Sequence, residues 1–313
     1  MMRRKLLFPV LATLTVFFTL ACESETEPKK DADTVTTDVT VTDETTPPDE
    51  SEVAPDEDFA GIPLDTHLVG VWAMKLQLFA DATVPVVGDV VTRTDKIIRM
   101  TVKKEEEGKV YADWQNAEVC HMETFITEGN DIAKTITTYF PPKFTANFFY
   151  VPPTELKEPK EQTTISGDPN DFSFTMNKWY EVRGCYFQGE NGTEPFDVET
   201  EMITEKNDPR IFDHDDDGRP GHTFEIKSTI ANGLIWGALK NFMEITGTGT
   251  GNRITGSVLW GEEEVVIGTD QPLFEGERIV TARTTGNTMV MVKIDASKTC
   301  EKILKEQDTL FAR

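Results

Sequence analysis

An all-β fold, an antiparallel barrel or sandwich closed by one short C-terminal helix, is what this sequence predicts. Three observations carry that expectation. Short runs rich in Val, Ile, Thr and aromatics recur from His67 onward with turn chemistry between them. Only one stretch, Lys298 to Glu306, has strong helical character. About 255 residues follow the acidic leader, enough for one sizeable core of the barrel or sandwich kind.

Taken in order, His67 to Phe79 opens the β region, its apolar residues alternating towards the end. Lys96 to Val102 and Lys109 to Trp114 flank the charged turn Lys103 to Gly108, which is a hairpin signal. Ala117 to Thr127 and Ala133 to Tyr139 add two strands. Pro141-Pro142 and Pro152-Pro153 bracket Lys143 to Val151, whose phenylalanines suit a short helix or lid. Glu155 to Asp171 reads as a loop of Pro, Gly and charge. Strands resume at Phe172 to Trp179, Glu181 to Gln188 and Phe196 to Thr204. They return after an acidic loop at His222 to Ile230, Leu234 to Ile245, Arg253 to Trp260, Glu263 to Gly268, Arg278 to Thr284 and Thr288 to Ile294, with Gly247 to Gly251 as a glycine-rich turn. Asp295 or Ser297 is placed to cap the last helix.

The acidic loop, Asp213 to Thr223 (DHDDDGRPGHT), concentrates carboxylates at the spacing a hard cation requires. Asp213, Asp215 and Asp217 alternate, Gly218 allows a sharp bend, and the backbone carbonyl of Arg219 offers a further oxygen. Those four residues are the candidate Ca²⁺ ligands. The position of an EF-hand's closing glutamate is held by Phe224, so the loop is not an EF-hand. A solvated turn is the plain alternative, because Asp and Gly favour turns by themselves. Four aspartates within five residues repel one another without a counter-ion.

Residues 1 to 21 read as a signal peptide, with basic Arg3, Arg4 and Lys5 ahead of an apolar run too short to span a bilayer. The stretch Thr19-Leu20-Ala21-Cys22 resembles a lipobox, which implies a lipoprotein with Cys22 as the acylated, palmitate-bearing N-terminus. Thr19 stands where that motif usually has leucine, and an ordinary secretory signal is the rival reading. Glu23 after the cysteine implies sorting to the outer membrane. Residues 22 to 58 hold fourteen acids and two lysines, a net −12, with almost no apolar side chains. That composition predicts a disordered tether with an r.m.s. reach of about 35 Å. The signal carries +3, so the overall −24 leaves −15 on residues 59 to 313, the expected single β-rich domain. Such a surface excludes a nucleic-acid binder and disfavours anionic lipid faces, which leaves the lipid anchor as the membrane contact.

Two resemblances add to this reading. Gly70-Val71-Trp72 is similar to the G-x-W that opens lipocalin-type (calycin) barrels, and implies a closed, enlarged barrel of that kind with Trp72 in its base. The pattern D-x-D-x-D-G-x-P-G-x-T, together with Gly247 to Gly251, Leu259-Trp260-Gly261-Glu262 and Asp295 to Cys300, resembles a group of uncharacterised bacterial lipoproteins. It implies kinship over about a hundred residues and no activity.

Cysteine usage suits an exported, oxidising space. With Cys22 acylated, Cys120, Cys185 and Cys300 remain, and an odd number leaves one thiol unpaired. Cys120 with Cys300 is the favoured disulfide because it would pin the final helix to the wall; Cys185 with either is the alternative. No C-x-x-C, G-x-S-x-G or phosphate-loop motif is present. His214 and His222 flank the acidic loop and open a softer-metal alternative there. The expected function is therefore a lipid-anchored cell-envelope domain with a binding or structural role. Its partner would be a small apolar ligand or a protein; the alternative is an envelope hydrolase using carboxylates.

Overall fold

The structure, a computed structural model, describes residue 59 and residues 61–312 apart from 106–108, 148, 157 and 277. The signal, Cys22 and the tether lie outside the described residues. The elements in chain order are α1 (Leu64–Leu68), β1 (Gly70–Val84), β2 (Gly88–Lys104), β3 (Val110–Ala112), β4 (Glu118–Glu128) and β5 (Thr137–Tyr139). There follow α2 (Pro142–Ala146), β6 (Phe149–Val151), β7 (Thr163–Asp168), β8 (Asp171–Arg183), β9 (His222–Lys227) and β10 (Gly233–Thr250). The chain ends with β11 (Arg253–Thr269), β12 (Ile279–Ala282), β13 (Thr288–Ile294) and α3 (Cys300–Leu310).

The thirteen strands form one sheet in which the order β11-β13-β1-β2-β4-β5-β9-β10 returns to β11 through a long β10–β11 hairpin. That closes a ring of antiparallel strands, a barrel rather than a sandwich. One wall is doubled. The edge of β10 pairs β9 over Gly233–Gly237 and β8 over Leu239–Gly249, and β8 carries β6 and β7 on its other side.

Alternation decides what faces in. On β1, Trp72, Met74, Leu76, Leu78 and Ala80 point inward, and register sets Met74 opposite Ile98 and Leu76 opposite Lys96 on β2. Trp72, Trp114 and Trp179 fill one end, with Trp114 and Trp179 stacked at 4.7 Å and Trp72 Nε1 donating to the Leu68 carbonyl at 2.8 Å. Each such side chain contributes about 1.5–3 kcal/mol on burial. Above this base the inward positions turn polar. Lys96 Nζ donates to Glu181 Oε1 at 2.6 Å, both side chains being almost wholly buried, and Asn241 and Arg183 approach the second oxygen of Glu181.

Several expectations change. Glu155 to Asp171 is not all loop, because Thr163 to Asp168 pairs with β8 as a strand; its alternation was obscured by flanking Pro and Gly. Phe196 to Thr204 is irregular, and Phe196, Val198 and Ile203 instead cover the outer face of β8 around Tyr180 and Val182. Gly247 and Gly249 lie within β10, where a side chain on Gly249 would strike Phe172; the turn falls at Gly251. Lys143 to Val151 divides into α2 and β6. The cap of α3 is Thr299, whose side chain accepts from Lys302 N, in place of Asp295 or Ser297.

Cys120 and Cys300 are joined in a disulfide, and Cys185 is a buried free thiol. The bridge ties α3 to β4 while Ile303 and Phe311 pack on Ala73 and Ile97 outside the barrel. It spans 180 residues of sequence. We expect a Cys120→Ser/Cys300→Ser variant to lose about 2–4 kcal/mol in denaturant unfolding, because the loop it closes is long. A loss under about 0.5 kcal/mol would show that packing alone holds α3.

Candidate functional site

The acidic loop leaves the barrel wall after β8 and rejoins it at β9. Its two ends are held side by side: Asp213 bridges Gly221, His214 N donates to the Gly221 carbonyl at 2.9 Å, and Gly221 N donates to the Phe212 carbonyl at 2.8 Å. Gly184 and Gly221, both at positive φ, lie against the Gly237 carbonyl so closely that no Cβ would fit. Glycine is required there, and the loop is fixed against β10.

Within the loop, oxygens of Asp213, Asp215 and Asp217 lie within 4.8 Å of one another, a spacing able to hold a metal ion. The cluster is organised by backbone. Asp217 N and Gly218 N donate to the two oxygens of Asp213 at 3.1 and 2.8 Å, and Thr223 N donates to Asp215 Oδ2 at 2.9 Å. Asp216 and Gly218 supply the positive φ of the bend. Asp215 is only 3% exposed, and its Oδ1 receives no hydrogen bond from another residue. Burial first, then repulsion by Asp217 and Asp213, pushes its carboxyl above the usual aspartate range. An unpaired buried acceptor is costly unless a ligand satisfies it.

The other expected participants fall differently. The Arg219 side chain pairs with Asp217 at 3.0 Å and lies over Trp236. His214 Nδ1 accepts from Gly184 N at 2.7 Å, and the ring packs against Phe149 and Phe212 in a three-ring cluster, so it pins the loop. His222 lines the barrel interior, edge-on to Phe144. Neither histidine joins the oxygen cluster.

Beside the loop is a cleft of about 620 Å³, lined by Asp215, Asp217 and Thr223 together with the apolar side chains of Tyr139, Phe140, Pro141, Pro142 and Leu234. Lys143 donates to the Asp216 carbonyl at 3.3 Å, tying α2 to the loop. Lys227 lies 4.5 Å over the Tyr139 ring. This cleft was not legible in the sequence, because its apolar lining comes mainly from the proline-flanked segment near residue 140 and its acidic lining from residues some seventy-five positions later.

A second polar cluster lies inside the barrel. Glu262 and Glu264 project inward from β11, Glu264 is paired with Arg278, and Arg278 lies over Phe224. Burial, then repulsion by Glu264, raises the Glu262 carboxyl to about 7 despite Arg278. By composition alone, a run such as Glu262 to Glu264 reads as a solvated face. Strand alternation shows why only Glu263 meets that description: it is exposed, with its neighbours turned in.

Neither a family model, nor a curated protein, nor a solved structure matches the chain. The folded protein holds the Glu262 proton more tightly than the unfolded chain does, so stability falls as pH rises from the ordinary glutamate range through about 7. Glu262→Gln should therefore be more stable than the parent at pH 8, by on the order of 2 kcal/mol, and equal to it at pH 4.5. Urea unfolding at the two pH values checks this; a pH-independent difference would contradict it.

Proposed function

We propose that this protein is a lipid-anchored β-barrel of the cell envelope that works as a binding module. In this reading the acidic loop holds Ca²⁺ and the adjoining cleft receives the ligand. The observation that carries it is the buried, unpartnered Asp215 oxygen in a three-carboxylate cluster that opens onto a cleft with an apolar wall. All-oxygen donors favour a hard cation, and Ca²⁺ accepts the irregular, incomplete shell that three aspartates and a carbonyl such as that of Arg219 provide, with water or ligand oxygens completing it. The apolar lining of the cleft suits an apolar small molecule or an apolar segment of a partner protein.

The anchor in this proposal is Cys22, acylated after removal of residues 1 to 21, with residues 22 to 58 as the spacer from the outer membrane. The kinship with uncharacterised lipoproteins implied by the loop pattern fits the same picture. The hydrolase alternative rests on Glu262 and Glu264, the inward-facing carboxylates. They line a narrow cavity of about 80 Å³, far too small for an envelope polymer, so the observation favours binding at the outer cleft.

Thermal melts of the mature protein in 2 mM Ca²⁺ and in chelator test the metal. Saturation at a hundredfold above Kd should add about 2.7 kcal/mol of stability, and Asp215→Asn should abolish the increment. An identical melting curve in both buffers would remove Ca²⁺ from the account. In the same preparation, a mature mass beginning at acylated Cys22 supports the anchor, and a retained leader contradicts it.

A further inference from the structure

The narrow, partly open cavity at the polar end of the barrel is lined by several groups that the fold leaves unsatisfied. Glu262 accepts no hydrogen bond from any described residue, its interactions being electrostatic, with Glu264 and Arg278. His222 is 2% exposed with Nδ1 unpartnered, and Trp260 is 6% exposed with Nε1 unpartnered. Phe140, Phe224 and the Trp260 indole supply aromatic surface, and Thr94 and Thr124 are occupied with one another at 2.8 Å. Native interiors rarely leave several polar atoms around one void without an occupant.

The charges select among occupants. Arg278 is paired with Glu264 and acts on Glu262 without pairing with it, so among the described residues lining the cavity Glu262 is the carboxylate without an ion pair of its own. Lys96 and Arg183 serve Glu181, deeper in the barrel. Water would satisfy hydrogen bonds but leave the partly buried carboxylate without a counter-charge. A cation beside a carboxylate and aromatic rings satisfies both. About 80 Å³ is several times the minimum for one water, which limits the guest to a few heavy atoms.

We propose that this cavity is a second binding site, inside the barrel and separate from the acidic loop, for a small primary ammonium ion held by Glu262. Without the guest, Glu262 meets the same charge deficit by taking up a proton, as its carboxyl raised to about 7 reflects. Guest and proton therefore compete. The groups facing Glu262 are Glu264 on the same strand, Arg278 from the segment before β12, and His222 from β9, which burial and the nearby Arg183 keep neutral.

Isothermal titration of the mature protein with ethylammonium chloride tests the proposal, with ethanol and acetamide as neutral probes and tetraethylammonium as an oversized cation. The expected result is saturable binding of ethylammonium at pH 8, weakened roughly tenfold by pH 6 as protons compete. The neutral probes and tetraethylammonium should not bind. Glu262→Gln, which mimics the protonated side chain and whose fold is checked by its melting transition, should weaken binding at least tenfold and remove its pH dependence. Equal binding of ethanol or acetamide, undiminished binding to a folded Glu262→Gln, or no saturable binding by any probe, which would leave a cavity for water only, each overturns it.

Discussion

The buried ion pair between Lys96 and Glu181 is the constraint on which the rest of the interior depends. Lys96 comes from β2 and Glu181 from β8, so their 2.6 Å bond crosses the barrel between walls that are not neighbours in the sheet. Burial lowers the lysine's pKa against the opposing pull of Glu181; for Glu181 burial acts upward but is outweighed by Lys96 and Arg183, which hold the carboxyl low. Such a pair adds little net stability over an apolar replacement, yet losing either member strands a charge in the core. What it enforces here is arrangement. Below it lies the tryptophan base, and beyond it lies the polar cavity of Glu262, Glu264 and Arg278.

That division leaves the larger concave surface near the acidic loop on the outer wall. With the base packed by Trp72, Trp114 and Trp179 and the middle filled by charge, the cavity that the described residues leave at the polar end holds only about 80 Å³. The large concave surface near the metal-capable loop is instead the cleft between that loop and the segment around Tyr139 to Lys143. The loop is stiffened by what surrounds it. Gly184, Gly221 and Gly237 let three backbone segments meet, His214 is fixed against two aromatic rings, and Asp213 caps the backbone amides of its own bend. A rigid oxygen cluster of this kind needs no large rearrangement on taking up a cation.

Much of the fold was legible because alternation and turn chemistry are local. The strand Thr288 to Ile294 was readable to the residue, and the pairing of Cys120 with Cys300 followed from placing a terminal helix on a wall. The acidic loop was readable as a cluster because its three aspartates are spaced by two. What was not legible depends on distant partners. The charge of Lys96 within KIIRMTV gave no sign of facing inward, since its meaning lies in Glu181, eighty-five residues later. Phe196 to Thr204 had strand composition but serves as cover, because its apolar side chains find Tyr180 and Val182 without a ladder. The role of Glu262 was hidden in a run of three glutamates whose alternation only a closed sheet makes visible.

A double-mutant cycle on Lys96→Met and Glu181→Leu tests the central claim, that one cross-barrel ion pair partitions the interior. Each single change should cost about 3–5 kcal/mol in equilibrium unfolding, and the double variant should cost clearly less than the sum of the two, because Lys96 and Glu181 no longer strand one another while Arg183 keeps its place over the Phe144 ring. Single losses below about 1 kcal/mol that simply add would contradict the claim and detach the two halves of the interior from each other.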